Sequence, residues 1–152
     1  MKERSVTHST FVIERSYPVT PQKVFAAFAD PAQKRRWFAP DPAERMEEFE
    51  MDFRVGGSER KRFTFNAGTV CENRTIYQDI QTDRRIVFAY TMSVGDHCFS
   101  ASLSTVELFP TEKGTDMIFT EQAAFFEASD GPEIREKGWS LLLDRMGSEL
   151  VR

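Results

Sequence analysis

The sequence predicts an α+β fold. A strongly bent antiparallel sheet of about seven strands would wrap around a long C-terminal helix, with two short helices after the first strand. Three observations carry that expectation. Segments with period-two alternation recur through the middle of the 152-residue chain, separated by turn-forming residues. The connections between them are too short for helical crossovers, which makes neighbouring strands antiparallel. The C-terminal segment changes period and sets Trp139, Leu142, Leu143, Met146 and Leu150 at helical spacing.

The elements follow in order. "STFVIERSYPV" (9–19) reads as the first strand, with imperfect alternation because Phe11, Val12 and Ile13 are consecutive. In "TPQKVFAAFAD", Thr20 can cap a helix and Pro21 suits its first position, while Val24, Phe25 and Phe28 fall at helical spacing. "DPAQKRRWF" repeats the device, with Asp30 as cap, Pro31 at the start and Gln33 completing a capping-box pattern. That helix ends near Trp37 and Phe38. "APDPAE" (39–44) is a turn-rich loop. Strands are then expected at 45–53, 58–65, 70–80, 85–92, 99–109 and 117–125, with breaks at "VGG", "NAG", "QTD", "VGD" and "PTEKGT". Asp130 and Glu133 suggest a further capping box, opening the last helix over 130–150, which Gly138 and Gly147 weaken locally. A single domain over 1–152 accommodates these elements.

Composition narrows the function classes. Hydrophobic residues make up 40%, enough for a real core, and charged residues 29%, enough to cover a solvated surface. Fourteen Phe against three Tyr and two Trp imply an apolar, ring-rich interior. A net charge of −4 argues against a dedicated nucleic-acid binder. No apolar run has the length of a membrane span, and "MKERSVTHST" lacks the apolar stretch of a secretion signal. Cys71 and Cys98 are read as reduced thiols, which fits a cytoplasmic protein. His8 and His97 are far apart, and adjacent His97 and Cys98 point in different directions on a strand, so no metal and no cofactor are expected.

The candidate site begins with Glu121 in "FTEQAAFF". Met117, Phe119, Ala123 and Phe125 share its parity, so a strand here carries a carboxylate on its apolar face. Such a group costs several kcal/mol unless it is paired, hydrogen-bonded, protonated or wet. Two readings follow: a polar anchor in an apolar cavity, or half of a structural ion pair, with Lys61 as a candidate partner. In "GGSERKRFTF", Glu59 and Lys61 share parity with Phe63 and turn inward if Phe63 does, unless Gly56 and Gly57 bulge the strand. The alternative is a solvated edge, and "KRR" (34–36) is read the same way. Ser100, Ser102 and Ser104 share parity with Val106 and Leu108, placing small hydroxyls on a core face. Tyr77 and Tyr90 could present hydroxyls to the interior. Trp37, Phe38, Trp139 and Leu142 would close the space between helices and sheet.

This order of elements, with "VFAAFADPAQKRRWF" (24–38), "MDFRVGGSERKRF" (51–63), "YQDIQTDRRIVFAY" (77–90), "STVELFP" (104–110), "GTDMIFTEQAAF" (114–125) and "GWSLLLDRM" (138–146), resembles the START-like, helix-grip superfamily (SRPBCC), which includes the birch-pollen-allergen fold. Within it the chain resembles the activator of heat-shock protein 90 ATPase homologue-like family. The resemblance implies a helix-grip fold and, by analogy with small bacterial members, a stand-alone ligand-binding domain. None of the matching segments is a catalytic signature. The co-chaperone activators carry an additional N-terminal domain that has no counterpart in these residues.

The expected function is therefore a cytoplasmic protein that binds an apolar or amphipathic small molecule between the C-terminal helix and the sheet. Its expected site residues are Trp37, Phe38, Glu59, Phe63, Tyr77, Tyr90, Ser102, Glu121, Trp139 and Leu142. The first alternative resembles the polyketide cyclase or dehydratase members, with a cavity carboxylate as metal-independent acid or base. The second is an interaction module, a chaperone partner or a homodimer using the exposed sheet.

Overall fold

A computed structural model describes residues 2–38, 45–65 and 68–152. The expected loop at 39–44 and most of the expected "NAG" turn lie outside the described residues. The chain runs β1 (Thr7–Tyr17), α1 (Pro21–Ala29), α2 (Pro31–Phe38), β2 (Arg45–Met51), β3 (Ser58–Phe65), β4 (Thr69–Gln81), β5 (Arg85–Val94), β6 (His97–Thr111), β7 (Gly114–Phe125) and α3 (Pro132–Leu150). The strands form one antiparallel sheet in the order β1-β7-β6-β5-β4-β3-β2. The sheet is open, and it curls over the helices. This is the α+β, helix-grip architecture that the sequence predicts.

The helix starts follow local chemistry. Thr20 caps α1 by accepting a 3.4 Å hydrogen bond from the Lys23 backbone N–H. Asp30 ends α1 through its own N–H, bonded to the Ala26 carbonyl at 2.9 Å, and starts α2 by accepting from the Ala32 N–H at 3.0 Å. That N–H is taken, so the expected capping box is modified: Gln33 donates instead to the Asp30 carboxylate, at 3.0 Å. At α3 the expected box does not form. The cap is Gly131, which has no side chain to offer, and Pro132 follows it. The Asp130 carboxylate is one residue too early and is held by Arg135.

Register sets the inner face. One cross-strand row runs Phe11, Glu121, Ser104, Phe88, Tyr77 across β1, β7, β6, β5 and β4. The next runs Ala123, Ser102, Tyr90, Thr75, Glu59, and a third runs Phe125, Ser100, Met92, Asn73, Lys61. A one-residue slip would turn all of these outward. Gly56 and Gly57 extend the β3–β4 pairing through bonds to Tyr77, at 2.8 and 3.0 Å. Gly56 has φ +81°, and a Cβ at Gly57 would lie 2.1 Å from the Asp52 carbonyl oxygen. The turn therefore fits before β3 without shifting its phase, and Glu59 and Lys61 both face inward, 2% and 6% exposed.

The core lies between this face and the helices. Trp139, Leu143 and Met146 of α3 are buried, and Leu142 and Leu150 pack partly buried against the same cluster. Phe63 belongs to a smaller cluster with Cys71 and Phe99. Cys71 and Cys98 are not disulfide-bonded. Among the described residues, no helix is long and apolar enough to cross a membrane. Away from the helices, Val12, Ile76 and Leu103 are exposed.

Candidate functional site

Two polar clusters stand in the aromatic core. The larger is built on Glu121. Its Oε1 accepts hydrogen bonds from the Tyr90 hydroxyl at 2.7 Å and the Ser104 hydroxyl at 2.9 Å. Tyr90 in turn accepts from Trp139 Nε1 at 3.0 Å and Arg135 Nη1 at 3.1 Å. Arg135 enters from the first turn of α3. Its Nε and Nη2 form a bidentate fork with Asp130, both bonds at 2.8 Å, and Nη2 also reaches Ser100 at 2.8 Å. Its Nη1 lies 3.4 Å from the Ser102 hydroxyl and 4.0 Å from Glu121 Oε2. Oε2 is buried and receives no hydrogen bond.

Burial dominates the electrostatics here. Desolvation raises the Glu121 pKa above the ordinary carboxylate range, although the Tyr90 and Ser104 bonds and the Arg135 charge pull the other way. Tyr90 is raised above the ordinary tyrosine value, first by burial and then by Glu121. Burial opposes the Arg135 charge, but Tyr90 and Asp130 more than offset it, so its pKa is raised.

The second cluster joins α2 to β3 and β4. Lys34 Nζ lies 2.5 Å from Glu59 Oε1, and both side chains are almost wholly buried. Tyr77 donates its hydroxyl to the same oxygen. Burial and the Glu59 charge raise the Tyr77 pKa far above its usual value. Lys61 Nζ donates to the Phe38 carbonyl at 2.7 Å and lies 4.1 Å from the Phe38 ring centroid. Phe88 separates Tyr77 from Tyr90 along the sheet, and Trp139 packs against Phe88, Phe38 and Phe119.

The ten expected residues thus divide. Tyr90, Ser102, Glu121 and Trp139 meet in the first cluster, and Glu59 and Tyr77 in the second. Phe38 contacts both the Trp139 ring and the ammonium groups of Lys34 and Lys61. Phe63 sits apart under Lys61. Trp37 is turned toward α1, where its Nε1 bonds the Ala27 carbonyl at 2.8 Å. Leu142 packs at the core margin. Lys61 does not pair with Glu121; the nearest cation is Arg135.

The sequence reading missed Arg135, Asp130 and Lys34. A solvated Lys34 is corrected here: it is 3% exposed, because Glu59 accepts its ammonium group and the Phe38 ring packs against it. A signal existed in each helix. Lys34 precedes Trp37 and Phe38 by three and four residues, and Arg135 precedes Trp139 by four, so both lie on apolar stripes. Among the described residues, no group of three or more His, Cys, Asp or Glu could hold a metal ion.

Solved structures share this fold. An uncharacterized protein from Rhizobium leguminosarum is 36% identical, with 99% of each chain covered and a TM-score of 0.93. A protein from Rhizobium loti is 48% identical over 96% of this chain and 99% of its own, with a TM-score of 0.87. The AHSA1-like protein from Aeromonas hydrophila, 19% identical over 93% of this chain and 92% of its own, shares the fold with a TM-score of 0.68. No curated protein matches the sequence. The shared architecture is in general that of a ligand-binding domain. The sequence profile described as activator of Hsp90 ATPase homolog 1-like protein matches residues 18–150, and with seven-eighths of its length inside that match the chain belongs to this family.

Proposed function

We propose that the protein binds an apolar or amphipathic small molecule between α3 and the inner face of the sheet, with the ligand's polar group at Glu121. The observation that carries this reading is Glu121 Oε2. A buried polar atom without a hydrogen bond costs about 1–3 kcal/mol, and this one lies beside the inner edge of Arg135. A ligand atom bonded there removes that cost. Phe38, Phe88 and Trp139 offer apolar contact nearby.

Glu121 has no surface that water can reach, so the ligand is admitted by displacing what covers it. The first turn of α3 and the segment 126–131 are the parts to move: among the described residues the Arg135–Asp130 fork is what hydrogen-bonds that segment to the Glu121 cluster, while Phe126 and Glu127 bond to Phe99 and His97 of β6. Titrating the protein with apolar fluorescent dyes, fatty acids, sterols and flavonoids, followed by calorimetry, tests the reading. It expects one equivalent per chain, with binding weakened in Glu121→Ala. A panel without a single saturable ligand refutes it.

A second reading shares the site. The raised pKa and unbonded oxygen of Glu121 also suit a general acid or base, as in a cyclase or dehydratase. Turnover of a bound ligand, lost in Glu121→Gln with binding retained, would favour the enzyme.

A further inference from the structure

We infer that the ligand group taken by this site is an acceptor oxygen, the carbonyl of a ketone, ester or amide, held jointly by Arg135 Nη1 and the carboxylic-acid form of Glu121. The inference rests on the ligand-binding reading above and names the chemistry of its polar end.

The protons of the cluster can be assigned one at a time. Tyr90 accepts from Trp139 and Arg135, so its own hydrogen goes to Glu121 Oε1. Ser104 directs its hydroxyl to the same oxygen. Oε1 therefore has two donors and behaves as the carbonyl oxygen of the acid. That leaves Oε2 as the hydroxyl, buried and without an acceptor. Charge gives the same assignment. Arg135 and Asp130 already form a neutral bidentate pair, so an ionised Glu121 would leave an uncompensated buried negative charge.

Oε2 and Nη1 are 4.0 Å apart, too far to bond one another well. A third atom about 2.8 Å from each completes a triangle with ordinary hydrogen-bond lengths. Nη1 gives one hydrogen to Tyr90 and the other to the long 3.4 Å contact with Ser102, and the third atom takes over that second hydrogen. Both corners then donate, so the third atom must accept. An alcohol would bring a donor to a place whose acceptor, Oε1, is already used twice. A carboxylate would bring a second anion to a cation that Asp130 already neutralises. The geometry therefore selects a neutral carbonyl over both.

The test uses four matched probes: acetylnaphthalene, naphthylethanol, ethylnaphthalene and naphthoic acid. Dissociation constants are measured by calorimetry across a pH series. The ketone is expected to bind at least about tenfold more tightly than the other three at low pH, as one charge-assisted or acid hydrogen bond implies. The charged and titratable groups facing Glu121 are Tyr90 from β5, Arg135 from α3 and Asp130 from the segment before α3, while β1 presents Phe11 and β6 presents Ser104. The ketone preference should fade as Glu121 ionises. In Glu121→Gln, whose amide donates from the same position, it should persist at every pH. Equal binding of ketone and hydrocarbon, or a preference for the alcohol or the acid, overturns the carbonyl assignment and leaves the ligand reading standing. Failure of all four probes and of the wider panel refutes the ligand reading itself, and the carbonyl assignment with it. The wild-type probe series decides the matter even if the variant folds poorly.

Discussion

Glu121 was legible as an inward carboxylate because strand parity has period two and its neighbours on both sides are apolar. Its partners were not, because a charged residue on a helix is ordinarily read as solvated. Lys34 and Arg135 become visible only when their apolar stripes are extended by one turn. The two buried clusters predict opposite mutational behaviour. A carboxyl with a raised folded pKa binds protons more readily in the native state, so its stabilising contribution is complete below the unfolded pKa and is lost as pH rises through the folded one. Glu121→Gln should therefore melt at the same temperature as the wild type, or higher, at neutral pH. The gap between the two should close on acidification, because Arg135 keeps Asp130 in either case. Scanning calorimetry of both proteins from acid to neutral pH reads this directly. A large loss in Glu121→Gln would make the 4.0 Å approach to Arg135 a structural ion pair. Lys34→Met removes one partner of a buried 2.5 Å pair and strands Glu59. It should cost about 3–5 kcal/mol by urea denaturation, and much of that should return in the double variant Lys34→Met/Glu59→Gln.

Elements were easier to read than their junctions. Strand and helix positions follow from periodicity, which averages over many residues, whereas a cap depends on one backbone conformation. The α3 start shows the difference. Asp130 and Glu133 have capping-box spacing, but the chain turns at Gly131, φ +88°, and Asp130 is committed to Arg135 instead. That fork links the segment before α3 to the Glu121 cluster, so it is expected to control how readily the first turn of α3 lifts. Asp130→Asn keeps the shape and removes the charge. It should lower stability by about 1–2 kcal/mol, as for a charged hydrogen bond at a partly exposed position. More specifically, amide exchange should quicken over 126–139 with β4 to β6 unchanged, and ligand association should be faster. Uniform acceleration across the sheet would mean that the fork supports the whole fold and does not gate one end of it.

At the scale of the molecule, topology makes α3 the decisive element. Neighbouring strands pair in sequence order except that β1 closes on β7, so the sheet has one inner face to cover. The short α1 and α2 cover part of it; α3 supplies Trp139, Leu143 and Met146. The Trp139 ring centroid lies 4.6 Å from that of Phe119 and 5.9 Å from that of Phe38, so it ties the sheet to α2. The hydrophobic stripe made this role legible, but the sequence alone could not show that the stripe also carries Arg135 into the same interior. Each large apolar side chain buried contributes about 1.5–3 kcal/mol. Deleting the chain from Gly138 onward removes three of them at once and exposes Phe38, Phe88 and Phe119 to water. A domain holds only about 5–15 kcal/mol in total, so the truncated protein should lose cooperative folding. Near-ultraviolet circular dichroism should lose its aromatic signal, and the thermal transition should become broad or vanish. A peptide spanning 132–152, added in excess, should restore part of both if packing of α3 is what was lost. A truncated protein with a sharp transition and a native-like strand spectrum would mean that the sheet, α1 and α2 fold without the helix they enclose, and it would remove the ground for placing any ligand between them.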